Sequence, residues 1–436
     1  MGLKQVLICS SLVAAVAFAG TKGYSAWTSR ITPEKVAAGK ILFEHDWTVN
    51  DPLCGEGDGL GPVFNATSCV ACHFQSGVGG SSGNDHNVLA FEIQDDIPLV
   101  TLNRQRNVQV HDVTEGVIHA HAVDKSFHES KSLVRALVPI PESETLENGC
   151  STFTITPPDP LIFHELNSPA LWGVGLIDDM STLSISFHGK KRIASRISRE
   201  LGGDFSGNRL GMLRTEDGVA GKFGWKGQFG SLEDFVASAC AMEIGLTNPK
   251  NSQMIAKKFK ADEQAKLDMN RQQLHQLVCF VKSLPRPQQV LPTDEQALKQ
   301  VRRGEEVFTE VGCAECHVKA LGGIEGIYSD FHLYNLEPVI ATSGPGGFYG
   351  DGEAEEEFDF EGEGPHPDQW QTPPLWGVAD SAPYFHDGGS PTLLTAINRH
   401  LGQAASSQEK FTDLSTTDEE CLIKFLKTLK APQLAK

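Results

Sequence analysis

Two runs of five residues carry chemistry in this sequence: Cys69-Val70-Ala71-Cys72-His73 and Cys313-Ala314-Glu315-Cys316-His317. Each sets two thiols one helical turn apart, where both can add to the vinyl groups of one haem, and puts an imidazole beside them as an axial iron ligand. A dithiol redox pair or half of a zinc site shares the CxxC spacing, but neither explains a histidine after the second cysteine in both runs. The sequence therefore predicts two covalent c-type haems, at Cys69/Cys72 and at Cys313/Cys316, with irons held by His73 and His317. An iron that only carries electrons takes a sixth ligand, whereas one that does chemistry keeps that position open. Of the 15 histidines, 13 remain to compete for the role (15 − 2), among them His400 in Asn398-Arg399-His400-Leu401-Gly402. Position alone does not separate His400 from a surface histidine.

The segments that must position these runs recur in the same order around each. Upstream, Ala38-Gly39-Lys40-Ile41-Leu42-Phe43 matches Arg303-Gly304-Glu305-Glu306-Val307-Phe308, and each reads as a helix whose apolar face approaches a haem edge. Downstream, Pro169-Ala170-Leu171-Trp172-Gly173-Val174 matches Pro373-Pro374-Leu375-Trp376-Gly377-Val378. Each half closes with an amphipathic helix, Leu277 to Leu284 before Pro285 and Leu422 to Leu429 before Pro432, because proline cannot continue a helix. A weaker pair joins Phe223-Gly224-Trp225-Lys226-Gly227 to Tyr384-Phe385-His386-Asp387-Gly388. In each, a turn feeds a new helix, capped by Ser231 with Asp234 three residues on, or by Ser390 with Pro391 as first helical residue. The expected fold is mainly α: two cytochrome c-like lobes from an internal duplication, 30–290 and 291–436, with long irregular connections. An insertion between His73 and Pro169 in the first lobe is expected to hold loops and short strands.

A chain of 436 residues with 40% apolar content buries a sizeable core and favours two domains. Lys4, the apolar run from Val6 to Phe18 and the small residues before Gly20 make residues 1–19 a secretory signal, so the protein is expected in the periplasm. The run is shorter than the ~20 residues a membrane span requires. A net charge of -19 lacks the basic footprint that phosphate binding needs, which argues against nucleic acid as a partner. Asp351 to Gly364 reads as a solvated acidic loop, with a calcium loop or a docking patch for a basic partner as the sharper alternative. Once Cys9 leaves with the signal, Cys54, Cys150, Cys240, Cys279 and Cys421 lie outside the haem runs. Five thiols in an oxidising compartment permit at most two intramolecular disulfides, and the sequence does not fix the pairing.

Phe64-Asn65-Ala66-Thr67-Ser68, Phe223-Gly224-Trp225-Lys226, Ile244 to Pro249 and Ala382 to Gly388, in this order, resemble the bacterial di-haem c-type oxidoreductases classed as peroxidases or "thiol oxidoreductases". These are relatives of the di-haem cytochrome c peroxidases and of the di-haem enzymes that mature methylamine dehydrogenase. In the peroxidases the sixth ligand of the electron-transfer haem is a methionine fourteen residues beyond the histidine of Tyr-Phe-His-Asp-Gly. The same step from His386 lands on His400, so the resemblance implies bis-histidine ligation there and a propionate or supporting contact for His386. The relatives also place a glutamate over an open haem at the end of the helix that follows Trp-Asp-Gly. That implies a catalytic role for Glu243 and an inter-haem relay at Trp225, although Lys226 replaces the aspartate and the spacing is two residues shorter.

The resemblance implies a periplasmic di-haem oxidoreductase of peroxidase type. Electrons from a small cytochrome or cupredoxin enter at the C-terminal haem, and hydrogen peroxide or another small oxidant reacts at the N-terminal haem. Two rivals stand beside it. One is a pure electron-transfer cytochrome, with His111, His119, His121 or His128 as the missing sixth ligand. The other is a sulfur- or thiol-oxidising enzyme using Cys150 or Cys240. Oligomeric state and calcium binding are left open by the sequence.

Overall fold

The computed structural model describes residues 31–93, 115–123, 130–138, 143–148, 151–155, 159–186, 188, 211–216, 218–253, 266–336 and 369–433. The expected signal segment 1–19, His111, His128, Cys150 and the acidic run Asp351 to Gly364 lie outside these residues. Among the described residues helices outweigh strands and long irregular connections join them, as a mainly α chain requires.

Two helix pairs build the core. In the first, α1 (Pro33–Glu44) packs on a helix from Arg271 to Ser283. A hydroxyl and a carboxamide fix their starts: Thr32 accepts from the Lys35 amide, and Asn270 forms a reciprocal capping box with Gln273. Gly39 lies where the helices touch. A Cβ there would collide with the Gln276 carbonyl oxygen and come within 2.8 Å of Phe280 Cβ. The second pair repeats this contact with Glu295–Glu310 on Thr416–Leu426, capped by Asp294 and Ser415. Here a Cβ on Gly304 would collide with the Cys421 carbonyl oxygen and reach 2.8 Å from Phe425 Cβ.

Both contacts press a phenylalanine toward a haem-run histidine. Phe43 lies 6.3 Å from His73 and 5.1 Å from Phe280, while Phe308 lies 6.5 Å from His317 and 5.5 Å from Phe425. Gly304→Ala should therefore destabilise the protein although alanine is the better helix former by about 1 kcal/mol. Overpacking typically costs about 1–3 kcal/mol and this clash falls on backbone, so thermal unfolding of the haem-loaded protein should shift down by several degrees. An unchanged or raised midpoint would refute this packing.

Two further helices deliver site residues: α2 (Cys69–Cys72) the first thiol pair, and α3 (Leu232–Glu243) Glu243 at its end. Ser231 caps α3 as expected, accepting from the Asp234 amide at 3.1 Å. The second expected cap is corrected. The helix after His386 spans Leu393–Asn398 and is capped by Thr392, whose hydroxyl accepts from the Thr395 amide at 3.1 Å. Ser390 instead pairs with Tyr384 in an isolated bridge, which draws Pro391 into the turn.

The insertion in the first half does contain short strands. Strand β1 (Val88–Ile93) lies between β2 (Glu115–Ile118) and β3 (Leu161–Leu166), antiparallel to both, with Phe91 opposite Phe163. Phe91, Ile93, Ile118, Val138 and Leu161 give this sheet its own small core. Farther along, β4 (Leu333–Asn335) pairs antiparallel with β5 (Gln369–Gln371), placing Tyr334 opposite Trp370. The two repeated Leu-Trp-Gly segments interlock. The Trp376 ring lies 2.8 Å from where a Cβ of Gly173 would stand, and the Trp172 ring 3.2 Å from that of Gly377. No described helix is long and apolar enough to cross a membrane.

Candidate functional site

Cys313 and Cys316 flank a short 3-10 turn that runs directly into His317. The Nδ1 of His317 bonds to the Tyr328 carbonyl at 3.0 Å, which turns the other ring nitrogen inward. Across from it stands His400, with ring centroids 6.4 Å apart and planes at 60°. His400 stands on the turn two residues beyond the end of the Leu393–Asn398 helix. There its Nδ1 bonds to the Ala396 carbonyl at 2.9 Å. Burial lowers the pKa of both rings, that of His317 to about 4 with His400 as a further cause, so both imidazoles are neutral. Neutral rings whose Nδ1 is anchored to backbone are what a metal ligand requires.

These groups line a mainly apolar cavity of about 340 Å³. Leu375, Trp376, Tyr384, Ile397, Leu422 and Leu426 are among its walls, and both thiols of the second run open onto it. The residues fit a haem. Two thiols lie at one edge, aliphatic and aromatic walls suit the macrocycle, and His317 and His400, with ring centroids 6.4 Å apart, would hold its iron between them.

The first run is built similarly at its proximal side. His73 Nδ1 bonds to the Gly80 carbonyl at 3.3 Å, and burial lowers its pKa to about 4. The far side differs, since among the described residues no second imidazole faces His73 as His400 faces His317. His119 bonds through Nε2 to the Met242 carbonyl at 2.7 Å, and His121 packs on Phe64. Glu243 is tied to the segment ahead of Cys69. Its backbone carbonyl accepts from the Asn65 amide at 2.7 Å, and its carboxylate accepts from Asn65 Nδ2, also at 2.7 Å. Burial pushes the Glu243 carboxyl up to about 7 against that hydrogen bond, and its charge in turn helps burial push the Cys72 thiol up to about 12. Glu243 therefore lies beside the first thiol pair, while Trp225 lines the large cavity, its Nε1 donating to the Asn167 carbonyl at 2.9 Å.

His386 stacks flat on Trp370, with centroids 3.4 Å apart and planes at 6°. The Lys226 ammonium lies over the Trp370 ring at 4.7 Å from its centroid, and Lys226 pairs with Glu92 of β1 at 2.8 Å. The sequence reading missed Trp370, Glu92, Asn65 and Asn167. Extending the repeat by two residues would have aligned Asn167-Ser168-Pro169 with Gln371-Thr372-Pro373, segments whose Asn167 carbonyl and Gln371 amide both bond Trp225. Cys54, Cys240, Cys279 and Cys421 are buried free thiols, so no disulfide joins any two of them.

Residues 216–429 match the family model described as "Di-haem oxidoreductase, putative peroxidase". Among solved structures, a hydrazine synthase chain from Kuenenia stuttgartiensis is similar at 19% identity and a TM-score of 0.31, covering 46% of this chain and 62% of that one. A MauG-like protein associated with microbial copper homeostasis is similar at 19% identity and a TM-score of 0.29, covering 49% of this chain and 71% of that one. The alignment thus spans less than two thirds of the hydrazine synthase chain. No curated protein sequence matches the chain. Over residues 216–429, which hold Trp225, Glu243, His400 and the second Cys-x-x-Cys-His run, the chain carries the sequence of the di-haem oxidoreductase family read from its motifs, and that family implies haem as the cofactor.

Proposed function

We propose that the chain is a periplasmic, two-lobed di-haem c-type peroxidase that takes single electrons at its C-terminal haem and reduces hydrogen peroxide at its N-terminal haem. The observation that carries the reading is the different equipment of the two sites: His317 is faced by His400 at 6.4 Å, whereas the buried Glu243 carboxyl lies beside the first thiol pair. A site with two axial imidazoles suits electron transfer, and a buried carboxyl beside a haem suits proton transfer to a substrate. The paired contacts of Phe43 with His73 and Phe308 with His317 support the two-lobe reading, 30–290 and 291–436.

In this reading Cys69/Cys72 and Cys313/Cys316 carry the haems, and His73, His317 and His400 hold the irons. A haem held by Cys69, Cys72 and His73 would supply the iron and the electrons for reduction of peroxide. Glu243 handles the proton. With its carboxyl near neutrality in affinity, it takes a proton from one peroxide oxygen and returns it to the other, while Asn65 fixes the carboxylate's position. Trp225 relays charge toward the second site, its indole held by Asn167. The electron donor is a small cytochrome or cupredoxin. Peroxide consumption by the two-haem protein, mixed both fully oxidised and half-reduced, tests the assignment. A protein inert in both states overturns it.

His400→Ala tests the second site. The C-terminal haem should turn high-spin or water-ligated while the spectrum of the first haem stays in place. An unchanged low-spin bis-histidine signal by EPR would remove His400 from the ligand set.

A further inference from the structure

We propose that the stacked rings of Trp370 and His386 form an electronic bridge between the two haem sites, with Lys226, held over the Trp370 indole by Glu92, as the positioning residue. The proposal rests on the di-haem reading above but not on peroxide as the substrate.

Aromatic pairs ordinarily settle offset or edge-on with centroids about 4.5–7 Å apart. The Trp370 and His386 rings overlap almost face to face at 3.4 Å and 6°, so something must hold them there. Pairing of β5 with β4 fixes the Trp370 backbone. The Lys226 ammonium lies over the indole at 4.7 Å from its centroid, and Glu92, reaching in from the inserted sheet, holds that ammonium at 2.8 Å. His164 closes the indole edge at 5.3 Å and 86°. Lys226 and Trp370 are 4% and 5% exposed, so neither group faces water. Burying a lysine is costly unless it is paired. Here the chain bears that cost to place a cation on one indole, at a position where the resemblance leads one to expect an aspartate.

The stack reaches the second site through Phe385 and the first through Asn167, whose chain neighbours Ser168 and Pro169 hydrogen-bond Cys72 and His73. On one side Phe385, next in the chain to His386, lies 5.3 Å edge-on from the His400 ring that faces His317. On the other, Trp225 is tied in three ways. Its Nε1 donates to the Asn167 carbonyl at 2.9 Å, the Asn167 amide donates to the His386 carbonyl at 2.6 Å, and the Gln371 amide donates to the Trp225 carbonyl at 2.8 Å. Trp225, Trp370, Phe385, His386, His400 and His317 all line the same cavity. A cation on the face of an indole stabilises the electron-rich neutral ring. The stack therefore passes an electron without being left oxidised: one electron leaves the reduced haem at His317/His400, one arrives at the haem at His73, and the indole and imidazole keep their electrons and protons.

Photoreduction of the fully oxidised two-haem protein with a short light pulse, followed by absorbance at the bands of each haem, reads inter-haem transfer with no peroxide present. Failure of the peroxidase assignment and failure of the bridge are thus separate results. Trp370→Leu should slow transfer by an order of magnitude or more with both resting haem spectra unchanged, and Trp370→Phe, which keeps a ring, should fall between. Lys226→Met should slow transfer and, on exposure to peroxide, add oxygen mass to the peptide containing Trp370. Lys226→Arg, which restores the cation, should reverse both effects. Transfer at the wild-type rate in Trp370→Leu and Lys226→Met, with Trp225→Phe slowed, would overturn the bridge and leave the relay to Trp225 alone.

Discussion

Replacing Cys313 and Cys316 together by alanine is expected to leave one covalent haem per chain where the wild type, matured in a c-haem-competent periplasm, carries two. Both thiols open onto the cavity between His317 and His400, and this chain has no other cysteine within either Cys-x-x-Cys-His run to take their place. The effect on stability should also be large. An apolar cavity of about 340 Å³ left without its macrocycle forfeits packing that ordinarily scales at about 24 cal/mol per Å³. The helices around it share one core through Val307, Phe308, Leu422 and Phe425. That half should become sensitive to protease while the part around Phe43, Leu277 and Phe280 keeps its haem. His400→Ala is the control, since it retains both thiols and should retain both haems. Haem-stained denaturing gels and a pyridine haemochrome count give the answer. Two covalent haems in the double variant would sink the attachment assignment.

What could be read in the sequence, and what could not, follows from how far apart the partners lie in the chain. The repeats from Gly39 to Phe43 and from Gly304 to Phe308 were legible because a helix writes its contact face into adjacent residues. The close-packed glycine and the phenylalanine against the histidine then follow. The approach of His400 to His317 was legible only through the resemblance, because nothing local marks a residue on a turn beyond a helix as facing another imidazole. The cap at Ser390 was misread for a local reason: Ser-Pro is a good helix start, but the Tyr384–Ser390 bridge outcompetes it and moves the start to Thr392. The Trp370–His386 stack and the Lys226–Glu92 pair were invisible. They join β1, β5 and two turns, and only strand pairing across the chain brings those segments together.

Glu243→Gln keeps the shape of the side chain and removes its proton chemistry, and it should slow peroxide reduction about 10²–10⁴-fold, the usual worth of a positioned acid–base. Asn65 can still hold the amide oxygen, so the fold around the first run should survive and electron delivery to the C-terminal haem should be unaffected. The pH profile distinguishes this from a merely structural loss. Burial raises the Glu243 pKa to about 7, and the first proton must move to an ionised carboxylate, so the wild-type rate should rise as pH passes upward through about 7. The glutamine variant should lack that limb. Stability runs the opposite way. A carboxyl whose pKa is raised on folding favours the folded state while protonated and loses that contribution as pH climbs through about 7, so the variant should resist mildly alkaline denaturation better than the wild type. Stopped-flow mixing with peroxide across pH, after fully oxidised and half-reduced preparation, measures the first effect, and thermal melts at matched pH values measure the second. A glutamine variant that reduces peroxide at the wild-type rate with the same pH limb would show that the proton travels by another group and would leave Glu243 as a buried tie between α3 and the segment before Cys69.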